Sequence, residues 1–181
     1  MKQRGFTIVE LLVVITVMAI LLTLAVVNLS ATQVQARDSE RRMDVENIAT
    51  ALESFYNSFD GDQTNTYPST VAALTASSAA NKVLRENTGD GSLHAPGIDT
   101  NSAWSFVVAT NSIQTTAGVL PAPTTATYVY QPLSQNASAV SLCTDSAGIG
   151  CTKFNIFYRL EKPTDECPAP SNICVLRSKR Q

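Results

Sequence analysis

Residues 5–27 read GFTIVELLVVITVMAILLTLAVV, and this stretch decides the fold. From Leu11 to Val27 the only polar side chains are Thr16 and Thr23, and no charge appears between Glu10 and Arg37. A run this long and apolar does not belong in the core of a small domain. It reads as one membrane-spanning helix, for which about 20 residues suffice. In lipid the backbone must satisfy its own hydrogen bonds, so a single segment has to be helical. The β-branched residues Val13, Val14, Ile15 and Val17 weaken a helix in water, but lipid overrides that preference.

Two features set the stretch apart from an ordinary anchor. Glu10 stands at the edge of the apolar run with no basic residue beside it, a costly place for a carboxylate without a partner. The leader Met1-Lys2-Gln3-Arg4-Gly5 is short and basic, and no small-residue cleavage site follows the apolar run as it would in a secretory signal. Cleavage after Gly5 would leave the run on the mature chain and create an α-amine on Phe6. Phe6 and Glu10 are four residues apart and share a helix face. That amine, in the same chain or a neighbour, is the natural partner for Glu10.

The residues Gly5-Phe6-Thr7-Ile8-Val9-Glu10-Leu11 resemble the class III signal sequence of type IV pilins and pseudopilins. The resemblance implies that a prepilin peptidase cuts after Gly5 and methylates the new amine of Phe6. It implies that Glu10 helps set register between subunits during assembly. The implied partners are further copies of the chain in a helical filament, the peptidase, the inner-membrane assembly machinery, and membrane lipid before assembly. The Tyr67-Pro68-Ser69 segment following a helix end and Gly resembles the same family more weakly.

The 181 residues divide into four expected parts. Residues 1–5 are a leader, 6–29 the transmembrane and polymerisation helix, 30–59 its amphipathic continuation, and 60–181 a globular β-sheet head. The head falls within the usual size of one small domain. Lys2 and Arg4 lie on the short side of the span. The leader is therefore expected in the cytoplasm, and the head on the exported side before it reaches a surface filament.

Beyond the span the helix is expected to continue, since residues 31–59 lack Gly and Pro. Val45, Ile48, Leu52, Phe55 and Phe59 recur at spacings of three and four, a one-sided apolar stripe. Arg37, Asp38, Glu40, Arg41, Arg42, Asp44 and Glu46 read as a solvated opposite face, with Asp38 and Arg42 spaced for a helical ion pair. The alternative is salt bridging between subunits. A helix from Phe6 to about residue 58 would be about 80 Å long. It holds no proline, so no kink is expected.

Asp60-Gly61-Asp62 reads as the helix terminator. The wider residues 60–65 only faintly resemble a calcium loop, without its terminal Glu, so no metal site is expected. Ser69 is a candidate N-cap for a short helix over residues 70–76. Residues 77–102 read mainly as a loop, with one helical turn at 82–86 and a solvated His94. Strands are expected at 104–108, 127–130, 139–142, 154–160 and 173–176. A Thr/Pro-rich loop spans 110–126, where Pro121 and Pro123 forbid a central strand. The expected fold is α+β. An antiparallel meander lays its apolar face on the stripe of the long helix. Trp104 should be core or half-buried.

Four cysteines, Cys143, Cys151, Cys167 and Cys174, lie on the expected exported side, which fits disulfides. Of the three pairings, Cys143–Cys151 and Cys167–Cys174 would each close a short loop or hairpin. The spacing lacks C-x2-C, and His94 is the only histidine, so zinc is not expected. Net charge is −2, which gives no global field for nucleic acid. The basic tail at residues 177–181 reads as a frayed terminus, and Asn136-Ala137-Ser138 as a chance sequon. The head shows no paired acids in a motif and no His/Ser/Asp set, so neither an enzyme nor a cofactor is expected. The leading function is a structural subunit of a type IV pilus-like filament. The alternatives are a pseudopilin of a type II secretion system, or a membrane-tethered binding module that does not polymerise.

Overall fold

The computed structural model describes residues 5–57, 65–74, 79–136, 139–144 and 151–180. The expected helix terminator, Phe59, the calcium-like loop up to residue 64, the end of the short second helix and the sequon's last two residues lie outside the described residues. The chain forms two compact units, Met1–Arg37 and Asp38–Gln181. The long helix α1, Ile8–Asn57, contributes residues to both.

In the first unit the side chains of residues 5–24 are all exposed. Thr16 Oγ1 donates to the Val13 carbonyl at 2.8 Å and Thr23 Oγ1 to the Ile20 carbonyl at 2.7 Å. The two polar side chains of the run are thereby satisfied inside the helix, which leaves its surface apolar. Among the described residues α1 is the one helix long and apolar enough to cross a membrane.

The second unit is built on a five-stranded sheet: β1 (Phe106–Val108), β2 (Tyr128–Asn136), β3 (Ala139–Leu142), β4 (Lys153–Arg159) and β5 (Ile173–Arg177). The order is β1-β2-β4-β5, and β3 pairs with β2 on the edge that β1 also uses. The α+β class holds, but a pure antiparallel meander does not, because β1 runs parallel to β2 in the register Phe106↔Tyr128 to Val108↔Tyr130. A parallel neighbour needs a long crossover, and the Thr/Pro-rich segment 109–127 supplies it. That segment is held to the sheet rather than free. Val119 is 1% exposed, and Gln131 Nε2 donates to the Asn111 and Ile113 carbonyls at 2.8 and 3.0 Å.

Strand β2 contains Pro132, which has no N–H to give. Its carbonyl accepts from the Cys143 amide at 2.9 Å, on the edge where β1 has ended and β3 begins. N and C=O of one residue face the same edge, so the missing donor falls at that junction and breaks no ladder.

Alternation splits the sheet into two buried faces. Phe106, Tyr128, Tyr130, Phe154, Ile156 and Tyr158 pack with Val45, Ile48, Ala49, Ala51 and Leu52 of α1. Val129, Phe157 and Ile173 pack with Ala109 and Val119 on the other side. Beside the sheet stand α2 (Thr70–Leu74) and α3 (Ala79–Ser92). Ser69 Oγ accepts from the Ala72 amide at 3.2 Å, the expected cap of α2. Helix α3 corrects the loop expected there. Its core-facing Leu84 is 1% exposed, and packing overrides a Gly-rich end that breaks from helical geometry at Gly89 (φ 70°).

The disulfides are Cys143–Cys151 and Cys167–Cys174. The first fastens the segment after α1, since the Tyr67 amide donates to the Cys151 carbonyl at 2.8 Å and the Thr70 amide to the Cys143 carbonyl at 3.1 Å.

Candidate assembly site

At the start of α1 the sequence Thr7-Ile8-Val9-Glu10 forms a capping box. Thr7 Oγ1 accepts from the Glu10 amide at 3.2 Å. One carboxylate oxygen of Glu10, Oε2, accepts from the Thr7 amide at 2.8 Å and from the Thr7 hydroxyl at 2.7 Å. The reciprocal pair satisfies donors that a helix start otherwise strands. Within one chain, Glu10 is therefore held by Thr7. Gly5 and Phe6 precede the box and are exposed, Phe6 at 85%. Sequence reasoning missed Thr7, although Thr-x-x-Glu before an apolar run is itself a helix-start signal.

Further along, Ile8, Val9 and most of the large apolar side chains to Leu24 are half or more exposed. Among the described residues nothing covers this surface, and an exposed apolar surface of this extent marks a site of membrane or protein contact.

The second half of α1 overturns the reading of a wholly solvated charged face. Asp38, Arg41 and Asp44 are 8%, 3% and 7% exposed. The signal was present, since 38, 41, 45, 48 and 52 form one series at spacings of three and four. Arg41 bonds Asp38 and Glu161, each at 2.9 Å, and its Nε donates to the Thr125 carbonyl at 2.9 Å. Asp38 in turn accepts from the amides of Glu161 and Lys162 at 2.9 and 3.1 Å. On its own helix Asp38 pairs with Arg41, three residues on, in place of the expected Arg42. Arg42 instead reaches Glu166 at 4.0 Å. These buried ions are paired and hydrogen-bonded, the condition under which burial of charge is tolerated.

Two tyrosines complete this attachment. Tyr128 donates to Asp44 at 2.8 Å and Tyr67 to Glu53 at 2.9 Å. Burial pushes the Tyr128 hydroxyl up, and the adjacent Asp44 charge adds to it. Burial also raises Tyr67, helped by its bond to Glu53. Asp44 is itself raised by burial, against the lowering effect of the Tyr128 hydrogen bond.

Two further expectations are corrected. His94 is 5% exposed rather than solvated, because it follows α3 into the core between Leu93 and Ala95. The tail is docked rather than frayed. Ser178 is 3% exposed, the Lys179 amide donates to Glu53 at 2.9 Å, and Arg180 lies 4.2 Å over the Tyr56 ring. Trp104 is half-buried, with Arg85 4.8 Å from its ring centre.

Residues 1–26 match the family described as the prokaryotic N-terminal methylation motif, the signal carried by type IV pilins and pseudopilins. No curated protein and no solved structure matches the chain. The motif, together with the apolar helix that it opens, supports a membrane-anchored, type IV pilin-like or pseudopilin subunit.

Proposed function

We propose that the chain is a structural subunit of a type IV pilus-like filament. Prepilin peptidase removes residues 1–5 and methylates Phe6. The mature helix is then drawn out of the membrane to pack against copies of itself, with the heads outside. The observation that carries this reading is the methylation motif at residues 1–26 opening a helix whose apolar side chains from Ile8 to Leu24 are exposed. Moving that surface from lipid into a bundle of like helices keeps it out of water throughout. Glu10 Oε2 is occupied by Thr7, and its carboxylate remains at the helix start, where the amine of a neighbour's Phe6 can join it. Two disulfides in the head suit an exported subunit and favour a pilus over a pseudopilus.

The test is the intact mass of the protein in sheared surface material. The expected mass lacks residues 1–5 and carries one methyl group and two disulfides. Uncleaved Met1 in that material would overturn the assignment. So would a variant blocked at Gly5 that still builds fibres like the unaltered chain.

A further inference from the structure

A groove of about 320 Å³ runs along one flank of α1, between Glu46, Ala49, Thr50 and Glu53 on the helix and Leu176, Arg177 and Lys179 at and just beyond the end of β5. Ala49 and Leu176 give it an apolar floor. Its walls carry opposite charge: Glu46 and Glu53 on the helix side, Arg177 and Lys179 on the strand side. Among the described residues Glu53 is held by the Lys179 amide and the Tyr67 hydroxyl, each at 2.9 Å, whereas the side chains of Glu46, Arg177 and Lys179 make no hydrogen bond or ion pair. Among the described residues the groove is a polarised slot without an occupant.

A second flank carries the matching relief. On α3, Lys82 and Glu86 form an i,i+4 pair at 3.9 Å with side chains 73% and 63% exposed. An exposed pair of this kind contributes little to its own head. It makes a ridge with one positive and one negative end about 6 Å apart along the helix. Two observations separate the flanks. Asn47 faces α3, donating to Ser92 at 3.2 Å, while Glu46, Ala49, Thr50 and Glu53 of the groove lie about 60–160° round α1 from it at 100° per residue. In the sheet, β1 adjoins α3 through the Ser105 amide to the Leu93 carbonyl at 2.8 Å, and β5 lies at the far end of the order β1-β2-β4-β5.

We propose that the groove receives the Lys82–Glu86 ridge of a second copy, with Lys82 toward Glu46 and Glu86 toward Arg177 and Lys179. Unlike surfaces make a heterologous contact, and such contacts repeat into an open filament unless the rotation closes a ring. The contact rests on the filament reading above and specifies which head surfaces meet in it. Being electrostatic and near the surface, it fixes register and weakens with salt.

Charge exchange in the full chain tests it. Glu46→Lys and Lys82→Glu should each lower the yield of sheared fibres about five-fold at low salt, with processing and the amount of subunit in the membrane unchanged. The double variant should restore the yield. Because both side chains are exposed, the heads should melt like the unaltered protein. Single variants that assemble normally would overturn the proposal while leaving the filament reading intact. Single losses without rescue would show that something other than α3 fills the groove, and would overturn it too. Processed subunits that never form fibres even in the unaltered chain would instead defeat the filament reading.

Discussion

The two halves of α1 invert the usual sorting of residues. From Ile8 to Leu24 the helix is mostly Val, Leu and Ile, and those side chains are outside. From Asp38 to Leu52 it carries Asp38, Arg41 and Asp44, and those are inside. One helix thus exposes its grease and buries its ions. Residue type alone does not decide burial; the partner available does. The head supplies Glu161, the Thr125 carbonyl and the Tyr128 hydroxyl for the charges of the second half. Among the described residues no surface covers the apolar first half, which is why the proposed function places it in lipid and then among sibling helices.

Removing the partner should break the comparison most severely. Arg41→Ala removes the cation that Asp38 and Glu161 share, and the loss should be about 3–5 kcal/mol of head stability. Urea unfolding of the full chain in detergent, followed by Trp104 fluorescence, reads it. A loss below about 1 kcal/mol would mean that the buried ions are no better placed than surface ones.

Alkali should act next, through Tyr67 and Tyr128, which donate to carboxylates of the buried half. Both have folded-state pKa values above the ordinary 10.0. The folded chain keeps protons that the unfolded chain gives up. Stability is then whole below pH 10 and falls as pH rises beyond it, by up to about 1.4 kcal/mol per tyrosine per pH unit. Tyr128→Phe should flatten that slope by about a quarter, since burial raises Tyr130 and Tyr158 as well. A slope identical in both proteins would remove Tyr128 from the account.

The cap of α2 is a smaller matter. Ser69→Ala should cost about 1 kcal/mol, read in the same unfolding experiment. Smallest of all for head stability is a change in the exposed half. Leu21→Ala should lie within about 0.5 kcal/mol of the unaltered chain by urea unfolding, because Leu21 is 60% exposed. The same substitution should reduce fibre yield, since its contacts are expected between copies. A large effect on head unfolding with normal fibres would reverse the comparison.

Much of the fold was legible because it rests on short-range patterns. The apolar run, the stripe Val45-Ile48-Leu52 and the alternation Phe154-Ile156-Tyr158 each reveal an element through its own period. The limits of that method are visible in particular residues. His94 and Asp44 carry polar labels, and only the surroundings reveal that they are buried. Helix α3 was obscured by Gly89 and Gly91, whose local preference lost to the packing of Leu84. At the candidate assembly site the opposite held: Thr7 and Glu10 are three residues apart in sequence, so their bonding pattern is legible there directly.

The sequence by itself determined a long apolar helix opened by a methylation signal, an amphipathic stretch after it, and a β-rich part with an even number of cysteines. These are properties of adjacent residues, set by covalent order and by helical or extended repeat. Only the tertiary structure decided that β1 runs parallel to β2, that segment 109–127 covers the outer face of the sheet, and that Arg41 sits between Asp38 and Glu161. Glu161 is 120 residues from Arg41, and no local period carries information across that distance. Such pairs form only when the whole head closes, because a buried charge tolerates its site only with every partner in place.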